Sequence, residues 1–287
     1  MSNPELNDLR PGGHLSNYLV LRDVPKHLIQ IDTVQMQISG GFRGFRSVPD
    51  GLHYVAVKTR DGDGELWGYV RNGVALIRVF DDTVLAFVAD TPLGEAEYRQ
   101  MALNGAMTGA LLDYPLDDWD SWQSLTGAII NQSIQIEDDK YVDTLLRTLQ
   151  DGWQVDISEL AERSRFQQLL SDRFGGQAER LQAAFQFAFV HWLLSQERGQ
   201  AEMSLACWQE MVLALCGCGE AMMRQYPQLI RGMGETLLIQ LDYLPDEFFE
   251  ADSFLMQAFD DFVVDLTDTA MPILSSIGVD LRAYVAA

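Results

Sequence analysis

Arg71-Asn-Gly-Val-Ala-Leu-Ile-Arg-Val-Phe80 and Glu95-Ala-Glu-Tyr-Arg-Gln-Met-Ala-Leu103 follow one another closely, yet they keep different periods. The first is a short apolar run opened by Asn72-Gly73, a pair that supplies the two positive-φ residues of a type I′ hairpin. The second repeats its apolar positions at helical spacing. The change falls near residue 93 and divides the chain. Upstream of it, short apolar runs broken by turn residues predict strands at Tyr18–Arg22, Leu28–Ile31, Val34–Ile38, His53–Lys58, Glu65–Arg71, Val74–Phe80 and Thr83–Val88. With Asp81-Asp82 as a second turn signal, the last three read as an antiparallel meander. Downstream, helices are predicted at Glu95–Leu112, Trp119–Ile136, Lys140–Leu149, Ser158–Leu170, Ala178–Ser195, Ser204–Leu215, Glu220–Leu241, Ser253–Thr267 and Pro272–Tyr284. The expected class is α+β in two domains. An antiparallel β-rich N-terminal domain, a sandwich or half-open barrel, covers 1–93. A connecting helix and linker cover 94–118, and an all-α C-terminal domain covers 119–287.

Composition narrows the function. The chain has 287 residues, 47% of them hydrophobic, enough for proper cores. Its 42 acids against 20 bases give a formal net charge of −22. Residues 1–118 hold 16 acids and 10 bases, net −6; residues 119–287 hold 26 and 10, net −16. The helical half therefore carries most of the negative charge and steers basic partners to itself. Direct nucleic-acid binding is not expected, because each carboxylate repels phosphate. No run approaches the length of a membrane span, and the N-terminal residues lack the basic start and apolar run of a secretory signal. Three cysteines, Cys207, Cys216 and Cys218, suit a reducing interior, and the expected location is cytoplasmic.

Motifs for chemistry are sparse. Cys216-Gly-Cys218 with Cys207 and His191 matches no standard zinc spacing and reads as buried thiols. Asp61, Asp63 and Glu65 copy the start of a calcium loop, but Leu66 stands where glycine is required and Asn72 where a bidentate glutamate belongs. His14, His27, His53 and His191 are scattered, and no nucleophile elbow, phosphate loop or metalloprotease motif occurs. No metal, cofactor or catalytic residue is assigned. Gly40-Gly-Phe-Arg-Gly-Phe-Arg46 is the most unusual string. It reads as a glycine turn between strands with Phe42 and Phe45 inward, in preference to a stacking loop for RNA.

Phe42-Arg-Gly-Phe-Arg-Ser-Val-Pro-Asp-Gly-Leu-His53 resembles the F-R-G-x-K-x-[IV]-P-P-G-x-H signature of the A1-cistron splicing-factor family. Leu19-Val-Leu-Arg-Asp-Val-Pro25 and Ile31-Asp32 resemble its opening segment, and Tyr114-Pro115 and Trp122-Gln-Ser-Leu-Thr126 resemble its junction. Gln186-Phe-Ala-Phe-Val190, Trp208 to Cys216, Glu220-Ala-Met-Met223 and Leu244-Pro-Asp-Glu-Phe-Phe249 follow in the family's order. The chain departs from the pattern at His27, Gln30 and Asp50. The resemblance implies a β-rich domain followed by a helical domain of the VHS type. It also implies a non-enzymatic assembly chaperone that holds the RNase-H-like region of a large spliceosomal scaffold protein and keeps RNA and other proteins off it.

The residues singled out as fold signature or partner-binding site are Phe42, Arg43, Gly44, Phe45, Arg46, Pro49, Gly51, His53 and Trp122, with the structural role preferred. Two other readings stay open. One is a prokaryotic relative that binds a different protein through the same helical domain. The other is a small-molecule-binding or hydrolytic protein with its site near Tyr114, Trp119 and Trp122. An exposed apolar patch bordered by acid favours binding; a pocket with a His–carboxylate pair favours the enzyme.

Overall fold

The computed structural model describes residues 17–25, 28–60, 62–71, 73–129, 144, 145, 147, 148, 164–195, 198–250, 253–268 and 271–285. The chain forms two compact units. One reaches Gln123 and includes Thr144; the other takes in Ser124–Ile129 and the described residues from Leu145 onward. The predicted class, a β-rich region followed by a helical one, is the class observed.

The first unit holds β1 Asn17–Arg22, β2 Leu28–Ile31, β3 Val34–Gln37, β4 Gly44–Val48, β5 Gly51–Lys58, β6 Asp63–Val70, β7 Ala75–Asp81, β8 Ala86–Ala89, α1 Pro92–Leu103 and β9 Leu112–Asp113. They build a five-stranded sheet, β8-β7-β1-β4-β9, and a four-stranded sheet, β3-β2-β5-β6. Side chains alternate across a strand, so β1 sends Leu19 and Leu21 one way and Val20 the other. Leu19 and Leu21 join Ile29, Ile31, Phe45, Val55 and Val57 in a core fed by both sheets. Val20 joins Ala75 and Ile77 under Ala102, with Tyr98 and Met101 of α1 packed alongside. Both faces of β1 are thus covered, which is why Leu19-Val-Leu21 is an unbroken apolar run.

Asn72 lies outside the described residues, and its hairpin with Gly73 is corrected. β6 pairs with β5, whereas β7 leaves for the other sheet and runs parallel to β1, Tyr18 opposite Ala75. Gly73, at φ +69°, and Val74 donate their amides to Asn17 Oδ1 at 2.6 and 3.1 Å. Asn17 Nδ2 donates to Val48 O at 3.1 Å, so one side chain fixes β1 between both neighbours. β9 also runs parallel, beside β4; the other five pairings are antiparallel. The glycine string contains a strand of its own, β4, where Ser47 at φ +57° forms a bulge opposite the Asn17–Tyr18 step. The helix predicted at Glu95–Leu112 stops at Leu103, because Asn104 caps it and Gly105 turns back at φ +78°.

α2 is Trp119–Thr126, and the division between the units falls within it. The second unit continues with α3 Arg165–Gln168, α4 Ala178–Leu194, α5 Arg198–Cys216, α6 Gly219–Gln225, α7 Pro227–Leu241, α8 Phe254–Asp268 and α9 Pro272–Val285. Most of Lys140–Leu149 and the start of Ser158–Leu170 lie outside the described residues. The helix predicted at Glu220–Leu241 is two helices, since Pro227 cannot donate a helical amide and begins α7 instead. α4 is the centre: its Phe185, Phe187 and Phe189 are all fully buried, and its Trp192 stacks on Trp208 of α5 at 6.4 Å.

Candidate functional site

The densest polar arrangement in the β-rich unit is interior. The β2–β3 hairpin turns through Asp32 and Thr33, and Asp32 takes φ +51°, a conformation that costs a non-glycine residue energy. That turn aims the Asp32 carboxylate inward, where Oδ1 accepts from Tyr54 N at 2.8 Å and Oδ2 accepts from Tyr114 OH at 2.6 Å. His53 Nδ1 donates to the same Oδ2 at 2.8 Å, and Nε2 donates to Pro49 O at 2.9 Å.

Both ring nitrogens of His53 face acceptors, so the ring is held as imidazolium. Burial by itself would lower its pKa. The Asp32 carboxylate, by charge and hydrogen bond, and the Pro49 carbonyl outweigh burial and leave it raised above its ordinary value. Trp119 stacks on the imidazolium at 5.8 Å, its ring face toward the cation, and Tyr114 meets it edge-on at 5.4 Å. Burial first, then Asp32, pushes the Tyr114 hydroxyl far up, so it stays a donor. Trp122 Nε1 donates to Leu52 O at 2.7 Å, and Gly51 lets Trp119 approach to 3.4 Å of where a Cβ would sit.

The sequence-selected residues fall into three groups. His53, Pro49, Gly51 and Trp122 belong to this cluster. Phe42 and Phe45 pack edge-to-face at 5.3 Å in the core between the sheets, and Gly44 permits a backbone approach there: a Cβ would lie 1.9 Å from Leu19 O. Arg46 makes a two-pronged bond to Asp113 at 2.7 and 3.0 Å, closing β9 onto β4, while the main chain of Arg43 bonds Leu21 N and Ala110 O. Asp32, Tyr114 and Trp119 complete the cluster, and in the sequence Asp32 stands out only as the end of the Ile31-Asp32 motif. A histidine kept charged in a core needs an acid beside it, whereas one kept neutral, as His191 is, does not, so His53 alone is no signal for Asp32.

The arrangement holds a shape. His53 is 1% exposed, its two nitrogens are engaged, and the hydroxyl of Tyr114 is spent on the same carboxylate. General acid–base work needs a group that can reach a substrate proton, and this histidine cannot. Elsewhere, His191 bonds Ser204 Oγ at 2.8 Å and is driven by burial to a pKa of about 4, so it is neutral. Burial likewise raises the thiols of Cys216 and Cys218, the latter to about 12, which makes them poor nucleophiles and ligands. Among the described residues no three His, Cys, Asp or Glu side chains gather as a metal site, and no helix is long and apolar enough to cross a membrane.

A sandwich-like β unit sealed by an ion pair, followed in sequence by a helical unit, makes a two-part α+β protein. Residues 15–136 match the AAR2 N-terminal domain and residues 134–285 match the AAR2 C-terminal repeat region. The chain belongs to the AAR2 family, the A1-cistron splicing factors, a family of splicing-related assembly factors. A comparison with curated proteins found no match.

Proposed function

We propose that this chain is a non-enzymatic assembly factor that binds the RNase-H-like region of a large spliceosomal scaffold protein and blocks premature RNA and protein contacts. The observation that carries this reading is the family match, which runs through both units from residue 15 to residue 285. Two features of the molecule support it. The one His–carboxylate pair described in the β unit is sealed inside, which removes the feature an enzyme reading would use. In the helical unit, α8 exposes Val264 among Asp260, Asp261 and Asp265, and α9 exposes Val279 beside Asp280. Exposed apolar side chains bordered by acid suit a basic protein surface, with charge speeding encounter and excluding acidic competitors. The working location is the cytoplasm, with nuclear entry where the source cell is eukaryotic.

Affinity purification of the tagged protein from its own cells, at low and at high salt, tests this. One large basic scaffold protein, recovered without RNA and weakened by salt, is the expected result. Recovery of a small molecule and no protein would overturn it.

A further inference from the structure

Four strands end the two sheets, and three of them are guarded. β6 carries Asp63 and Glu65. β9 is two residues long, with Asp113 held by Arg46. β8 follows Asp81-Asp82, and the turn before it presses on the start of β6, where a Cβ on Gly64 would come within 2.8 Å of Leu85 O. Charges, shortness and cover are the devices that stop a sheet edge from pairing with a stranger. β3 is four residues long and, among the described residues, has neither charge nor cover along its outer edge. Val34-Gln-Met-Gln37 sits in a charge-free stretch from Thr33 to Phe42, without proline, in a chain of net charge −22.

The register identifies the main-chain groups that face outward. β2 and β3 join through a two-residue turn, Ile31 opposite Val34, so that closing pair exchanges its hydrogen bonds. Asp32 N, the next residue along, donates the other way, to Tyr54 O at 2.7 Å. The alternation then turns Ile29 and Met36 toward each other and leaves the N–H and C=O groups of Gln35 and Gln37 directed away from β2. Among the described residues β2 is the only partner of β3. The side chains of Gln35 and Gln37 are exposed, while Met36 and Ile38 lean on the core cluster.

We infer that β3 is a docking edge, and that its occupant is an extended strand of a different, basic protein, which adds to the four-stranded sheet. This rests on the protein-binding reading and supplies one contact of that partner. Main-chain bonds from Gln35 and Gln37 give such a strand its hold. Its apolar residues alternate so as to continue the Met36–Ile38 side, and its intervening residues lie beside the glutamine amides. A second copy of this chain is the poorer occupant, because two bodies of net charge −22 repel one another.

The test uses the full chain, isotopically labelled, and a short capped peptide of alternating Val and Lys. Titration is expected to move the Gln35 and Gln37 amide signals and slow their hydrogen exchange, whereas the same peptide N-methylated along one edge leaves them unmoved. Gln35→Pro removes an outward main-chain donor and, from the fold, only the exposed side-chain bond of Gln35 Nε2 to Gln30 Oε1 at 3.2 Å; it is expected to weaken the peptide about tenfold or more. Should that variant misfold, Gln35→Lys with Gln37→Lys keeps the backbone and repels the basic strand. Equal binding of the N-methylated peptide, shifts confined to the helical unit, or a salt-resistant dimer through β3 would each overturn the inference. If the lysine variant still recovers the scaffold protein from cells with wild-type yield, the edge fails and the assembly-factor reading stands. If neither form recovers it, that reading fails, and the peptide titration alone decides the edge.

Discussion

Two residues show how narrowly the β core is specified. Gly44 sits at φ +119° with Leu19 O where a Cβ would be, and neither atom can retreat because both belong to paired strands. Gly44→Ala is expected to cost about 3 kcal/mol or more, read as a lower urea midpoint with unchanged slope. Asp32 is the second. Asp32→Asn leaves a buried imidazolium facing a neutral amide, and loss of one partner of a buried pair costs about 3–5 kcal/mol. The pair also sets a pH dependence. The folded-state pKa of His53 is raised, so its contribution is fully present below pH 6.5, the unfolded value, and fades as pH rises through the folded value. Urea midpoints of wild type and His53→Gln, compared across this range, should converge at high pH. Parallel curves would show that the ring is not charged in the fold. At this scale the sequence was half legible. His53, Trp122 and the Phe42–Gly51 string could be picked out, but Asp32 and Tyr114 lie far from His53 along the chain and meet it only through the hairpin turn and β9.

Elements were legible where one local signal governed them. α4 ends one residue short of its expected range and β2 and β3 match their apolar runs, whereas α1 starts three residues before the expected Glu95, because Thr91 Oγ1 accepts from Gly94 N at 3.1 Å and Pro92 opens the helix. The failures came where distant pairing overruled a local signal. Gly73 serves a turn between sheets because Asn17 captures its amide, and β1 runs parallel to β7 because the apolar run Leu19-Val-Leu21 needs cover on both faces. Helix pairing in the second unit yields a sharp prediction. A Cβ on Gly278 of α9 would lie 2.8 Å from Leu266 Cβ and 3.1 Å from Thr267 N, stiff atoms of α8. Gly278→Ala gains about 1 kcal/mol of helix propensity but loses more to overpacking, so thermal unfolding should come earlier. Gly199 in α5 has no atom within 4 Å of a Cβ, and Gly199→Ala should be neutral or stabilising. If both substitutions behaved alike, the close approach of α8 and α9 would be refuted.

Across the molecule, the two units carry histidines of opposite sense. His191, in the helical unit, has its pKa lowered by burial to about 4, so that unit loses stability as pH falls from 6.5 toward 4, where the unfolded chain binds the extra proton. His53 acts the other way in the β unit. Hydrogen exchange followed unit by unit should show the helical unit loosening first on mild acidification, and His191→Phe should blunt that loss. Charge is likewise uneven, with residues 119–287 carrying net −16. On the proposed function, this acidic chain works by holding a protein. Titration calorimetry of the full chain with the RNase-H-like region of the scaffold protein, repeated at rising salt, tests it most directly. A one-to-one complex is expected, with an affinity that falls steadily as salt screens the acidic surface. A folded chain that forms no complex at any salt would contradict it.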